Sequence, residues 1–159
     1  MSGHQESERA RSLWRFAGAL YAQPGVDEAC LRLQDEAGLD VCELLWLCWL
    51  ERSGRAPGML EELEQVRAWQ RHYTWALRRL RRELKPVCAT LPRLAALRET
   101  IKRAELEAEH ETLRRLAELA QRDQPAGDAD FERWHGNLSS SHAVLVARTR
   151  RAGALVPLE

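Results

Sequence analysis

Strand-forming residues are thin in this chain. Phenylalanine and tyrosine occur twice each, isoleucine once and threonine five times, while Leu, Arg, Glu and Ala abound. Straight-chain residues lose little rotamer freedom in a helix, so this balance favours helix throughout. An excess of either charge is also missing. Twenty-four Lys and Arg face 24 Asp and Glu, so no global field steers the chain toward nucleic acid or a membrane. No Cys-x-x-Cys pair occurs among Cys30, Cys42, Cys48 and Cys88, and no Cys/His zinc spacing, which favours small buried hydrophobes in a reduced compartment over a disulfide or metal framework. A Gly-rich phosphate loop, His-Glu-x-x-His and Gly-x-Ser-x-Gly are all absent, which removes the commonest short signatures of catalysis. The first residues lack the apolar run of a secretory signal, so a cytoplasmic location is expected.

The longest apolar stretch, residues 41–50, has nine apolar positions in ten, including Trp46 and Trp49. As a helix it rises ~15 Å, against a bilayer core of ~30 Å, so it is no membrane span. A helix apolar on nearly every side must be enclosed, and this one reads as the central helix of a small soluble helical protein. At 159 residues the chain supports one such domain.

Turn and cap signals divide the first 55 residues into three short helices. Ser12 is placed to cap the first, whose apolar members include Leu13, Trp14, Phe16, Leu20 and Tyr21. Pro24-Gly25 turns the chain into a second helix over about 27–37, and Gly38 stands at its C-cap. Asp40 with Glu43 forms an acidic capping box opening the tryptophan helix. A long helix is predicted from Pro57 or Gly58 to Leu84. There Met59, Leu63, Val66, Gln70, Tyr73, Leu77, Leu80, Leu84 and Val87 step by fours and threes as a packing seam, with Pro86 ending or kinking it. A second long helix is predicted from Pro92 to about Arg122, with its charged middle, 102–111, solvated. The expected architecture is therefore an all-α bundle of three short and two long helices over residues 12–122. A flexible segment (1–11) precedes it and a variable, partly ordered C-terminal extension (123–159) follows. In that extension a short helix around Phe131 and Trp134 and a last turn or two at 143–147 are expected.

Leu13-Trp14-x-Phe16-Ala17-x-x-Leu20-Tyr21, Pro24-Gly25-Val26, Ala29-Cys30-Leu31-x-Leu33-Gln34-Asp35 and Gly38-x-Asp40-Val41 with Leu44, Leu45 and Trp49 make a dense pattern. It resembles an uncharacterised proteobacterial family, a domain of unknown function, in proteins of about this length. The resemblance covers residues 12–85 and implies a bacterial origin. It implies no activity. Family members commonly carry Asn after the Asp-Val pair, where this chain has Cys42.

Three groups of side chains are candidates for function. Residues 61–100 carry nine basic groups against five acids, and within them Arg67, Arg71, Trp75, Arg78, Arg82 and Lys85 form a basic row at helical spacing. The row could contact a phosphate backbone, with Trp75 stacking a base. It could equally pair with the acids of residues 99–111, or dock an acidic protein. Gln34, Asp35 and Asp40 could line a pocket beside the tryptophan helix, although capping accounts for much of that pattern. Glu107/His110 and Glu132/His135 repeat the Glu-x-x-His step of di-iron bundles, yet the first pair lies in the charged section. No cofactor and no catalytic set is expected. The sequence favours a non-catalytic interaction or adaptor protein binding an unknown protein partner through a helix face, with self-association a further route. RNA or ribosome binding by residues 67–85 is the alternative, and a metal-dependent enzyme the third. In this reading the arginine row faces solvent. Trp46→Ala is expected to cost ~3–5 kcal/mol through a core cavity, measured by urea unfolding.

Overall fold

The computed structural model describes residues 6–158, and among them the fold is all-α. Its elements are α1 (Glu8–Tyr21), α2 (Val26–Ala37), α3 (Val41–Arg52), β1 (Ala56–Pro57), a 3-10 turn (Leu60–Glu62), α4 (Leu63–Trp69), a π turn (Gln70–Thr74), α5 (Trp75–Thr90), a second 3-10 turn (Pro92–Leu94), α6 (Ala95–Ala117), β2 (Gln121–Arg122), α7 (Asp128–His135) and α8 (Ser140–Gly153). The chain divides into two compact units, one of Glu62–Thr112 and one of the segments on either side.

The flanking unit is built around α3. Every residue from Cys42 to Leu50 is buried, Trp46 to 1% exposure and Trp49 to 4%, and α1, α2 and α8 all pack on it. Gly38 closes α2 in the left-handed region at φ 67°, where a side chain would be strained. Asp40 then caps α3 by accepting the Glu43 amide at 2.9 Å. Because α3 has no polar face, its polar atoms need buried partners. The Trp49 indole donates to Ser12 Oγ at 3.1 Å, and the Trp134 indole donates to the buried Glu43 carboxylate at 2.9 Å. Ser12 is thus a core acceptor and not the cap. Ser7 caps α1 by accepting the Ala10 amide, and the helix starts at Glu8 with Ala10 already buried.

In the C-terminal segment α7 forms where a short helix around Phe131 and Trp134 was expected, whereas α8 runs from Ser140 to Gly153 in place of the last turn or two expected at 143–147. Leu145, Val146 and Thr149 of α8 are buried, and α8 lies along α2 and α3. A Cβ at Gly153 would stand 3.4 Å from the Cys48 Cβ, so this helix closes on α3 through its smallest residue. The polar run Ser139–His142 initiates it, with Ser139 Oγ accepting the His142 amide.

The predicted long helix also begins differently. Ala56–Pro57 pairs antiparallel with Gln121–Arg122, and the following Gly58 donates its amide to Ala120 at 2.8 Å. Helix therefore starts only near Leu60. At the other end, α5 runs through Pro86 to Thr90. Pro86 is exposed and its ring costs the helix one amide donor without ending it. The second long helix stops at Ala117, and residues expected in its last turn form β2.

The 3.5-residue seam is only half realised. Leu63, Val66 and Gln70 are buried, but Tyr73, Leu80 and Val87 are 47%, 45% and 41% exposed. In their place Thr74 is buried and Arg81 and Cys88 are partly so, each one residue further on. A straight α-helix drifts ~20° per heptad against a 3.5 repeat. Drift alone is too small here, because the displacement is a full residue already at Tyr73/Thr74 and remains one residue at 80/81 and 87/88. A π turn takes one residue more than an α turn and supplies it. The slip first shows at the π turn, Gln70–Thr74.

Gly58 tests the strand clamp. A Cβ there would lie 2.8 Å from the Ala120 carbonyl oxygen. Gly58→Ala is expected to cost about 2 kcal/mol in urea unfolding and to remove hydrogen-exchange protection at residue 58. Full retention of that protection would show that the backbone yields freely.

Candidate functional site

Helices α5 and α6 form a hairpin within the Glu62–Thr112 unit. At its base the Trp69 indole donates to the Ala108 carbonyl at 3.2 Å, and the Thr112 hydroxyl donates to the buried Gln70 amide oxygen at 2.9 Å. The Trp69 and Tyr73 rings stand 4.5 Å apart at the π turn. These contacts anchor the start of α5 without an apolar core, for α5 buries no residue at all.

An ionic cluster occupies part of the interior of the hairpin. Arg78 donates to Glu105 and Glu109 at 2.9 Å each, and Arg81 grips both oxygens of Glu105. Glu105 is 5% exposed. Its burial pushes toward the neutral form, but hydrogen bonds from Arg81 and Arg78 outweigh that and hold its carboxyl below the usual range. Glu109 goes the other way, because burial outweighs the pull of Arg78 and raises it. Arg98 adds a bond from its guanidinium to the Arg81 carbonyl. The charged middle of α6, expected to be solvated, therefore supplies the hairpin's buried acids.

The predicted basic row is split accordingly. Arg78, expected outside, is turned into the hairpin with only 16% of its side chain exposed. Arg71 is exposed and paired with Glu64 at 2.6 Å, and Arg67 is partly buried on α4. Trp75, Arg82 and Lys85 are exposed on α5. An open depression there is lined by Trp75, Arg78, Arg79, Arg82 and Glu83. Arg78 pairs with Glu105 and Glu109, two of the acids of residues 99–111 that the sequence offered as partners for the row. Arg81, which lies outside the row, was missed.

Gln34, Asp35 and Asp40 lie where the two caps meet: Asp40 caps α3, Gln34 is partly buried and Asp35 exposed. Glu107 and Glu132 are exposed, and no group of three or more His, Cys, Asp or Glu side chains among the described residues is gathered to hold a metal ion. Trp46 and Trp49 are core residues with no open aromatic cleft. Burial and then the nearby Asp27 charge push the Cys30 thiol up to about 12, far from a reactive thiolate. A second depression involves Arg52, Arg150 and Arg151. There Arg150 is committed to Glu51 and Asp128, and Arg52 donates to the Val156 carbonyl. No helix among the described residues is long and apolar enough to cross a membrane.

Glu105→Gln is expected to cost about 3 kcal/mol at neutral pH, because it leaves two arginines facing a neutral buried partner. A depressed carboxyl contributes stability that is present above the unfolded-state value of about 4.3 and is lost as pH falls through the folded value. Unfolding curves across pH 7 to 3 should therefore show a steeper acid loss for the wild type than for the variant. Equal neutral-pH stability of the two proteins would mean that the cluster does not hold the hairpin.

Comparison with curated proteins finds no match, and comparison with solved structures finds none either. A family model does match, over residues 12–116. This reaches beyond the expected 12–85 and takes in α6 up to Leu116, so the hairpin and its acids lie inside the shared region. On that match the chain belongs to the family described as protein of unknown function (DUF2390).

Proposed function

We propose that this protein is a non-catalytic interaction protein that docks a protein partner on the outer surface of the α5–α6 hairpin. One observation carries the reading: the ionic cluster of Arg78, Arg81, Glu105 and Glu109 takes up part of the hairpin's interior, while several large apolar side chains lie exposed on its outer surface. Tyr73, Leu80 and Val87 are spaced by seven residues, so they share one side of the helix, and each is more than two-fifths exposed. Leu97 on α6 is 49% exposed. A two-helix unit with a partly ionic interior gains less from apolar burial, and an exposed apolar stripe of this kind marks interaction sites. A cytoplasmic setting is part of the same proposal.

A second reading, contact with RNA through the basic side, has one observation in its favour. Trp75 stands beside Arg79 and Arg82 in the open depression, which is the pairing of ring and cation that single strands use. Leu80→Asp with Val87→Asp is expected to abolish capture of partner proteins from nuclease-treated lysate and to leave the thermal midpoint within a few degrees, since neither residue is in the core. Capture that vanishes with nuclease and survives this double substitution would replace protein docking with the RNA reading.

A further inference from the structure

Counting charge along the hairpin narrows the partner. Residues 75–104 hold nine basic groups and two acids, Glu83 and Glu99, a net of plus seven. Continuing to Thr112 adds Glu105, Glu107, Glu109 and Glu111 and no Lys or Arg. With Glu105 and Glu109 assigned to Arg78 and Arg81, seven basic groups stand against four acids, and Arg79 and Lys85 among them are exposed. The same segment exposes Leu80, Val87 and Leu97.

We infer that the hairpin is completed by a single acidic amphipathic helix of a partner protein, lying as a third helix along α5 with its apolar face on Leu80 and Val87 and its carboxylates toward Arg79, which flanks that stripe, within the positive field to which Lys85 also contributes. This rests on the docking reading above and specifies the partner's chemistry. Three considerations lead to it. First, Leu77, Leu84, Leu94 and Ile101 of the hairpin are only partly buried, which is the condition of a bundle one helix short. Second, a net positive tip repels a second copy of itself and favours an acidic partner, speeding encounter at low salt. Third, aliphatic side chains such as Leu80 and Val87 offer nothing to a phosphate backbone, whereas a helix with leucines at 3-4 spacing fits them.

The test uses the full-length protein and fluorescence anisotropy with three labelled probes. One is a synthetic peptide of about 20 residues with Leu at 3-4 spacing, Glu on the flanks of that stripe and Ala elsewhere, so that helix propensity offsets the repulsion between neighbouring Glu. The second has Gln for Glu, and the third is a single-stranded oligouridylate. The acidic helix is expected to bind best, and Arg79→Glu with Lys85→Glu should weaken it roughly tenfold or more, about 1.4 kcal/mol. Both substitutions fall on exposed residues outside the ionic cluster, and circular dichroism checks that the fold is kept. Equal binding of the Gln helix would overturn the acidic partner and leave the docking surface standing. Preference for oligouridylate would overturn both. Failure of either helix to bind would overturn this inference alone, the docking reading then being judged by proteins captured on the Leu80/Val87 stripe.

Discussion

A helix with no polar side can be stable in water only if other elements surround it, and α3 imposes that condition on its unit. Its residues from Cys42 to Leu50 are all buried, so one partner cannot suffice. α1, α2 and α8 supply the enclosure; inside it the Trp49 indole and the Glu43 carboxylate find mates, while the Trp46 indole N–H is buried without one. The Glu43 carboxylate would be costly to bury alone. It is tolerated because the Trp134 indole donates to it from 91 residues away. This bond ties the short helix around Phe131 and Trp134, expected from the sequence, to the centre of the fold.

The hairpin follows the opposite logic. Taking two arginines and two glutamates out of water yields little net stability, since desolvation offsets most of their attraction. What such a cluster supplies is register: Arg78 and Arg81 meet Glu105 and Glu109 in one alignment of α5 on α6, and sliding either helix by a turn would strand buried charge. Leu80 and Val87 then lie outward, while Leu77 and Leu84 stay partly buried. Arg78 and Arg81 inward and Leu80 and Val87 outward are two aspects of one rotational setting of α5, which follows the π turn.

Some of this was legible in the residues. Gly38, Asp40 and the apolar decapeptide announce their roles locally, because left-handed caps, N-caps and all-round burial depend on neighbours in sequence. The family resemblance over residues 12–85 was visible too, and fell short of the matched region by most of α6. The seam on α4 and α5 was legible in its first half only. A 3.5 repeat drawn over four heptads ignores the extra residue that a π turn takes, and nothing in Gln70–Thr74 advertises one. Arg78 was misplaced for the same reason, since its facing depends on that register. The extent of α8 was hidden because Arg148, Arg150 and Arg151 make the segment look like a solvated tail. Arg150 in fact bonds Glu51 and Asp128, and a long-range ion pair leaves no trace in local periodicity.

The pairing of Ala56–Pro57 with Gln121–Arg122 brings together the two ends of the excursion that contains the hairpin. The chain that leaves this pair at residue 58 returns to it at residue 120, so matched additions or deletions of helical turns between those two points leave the pairing at the ends in register.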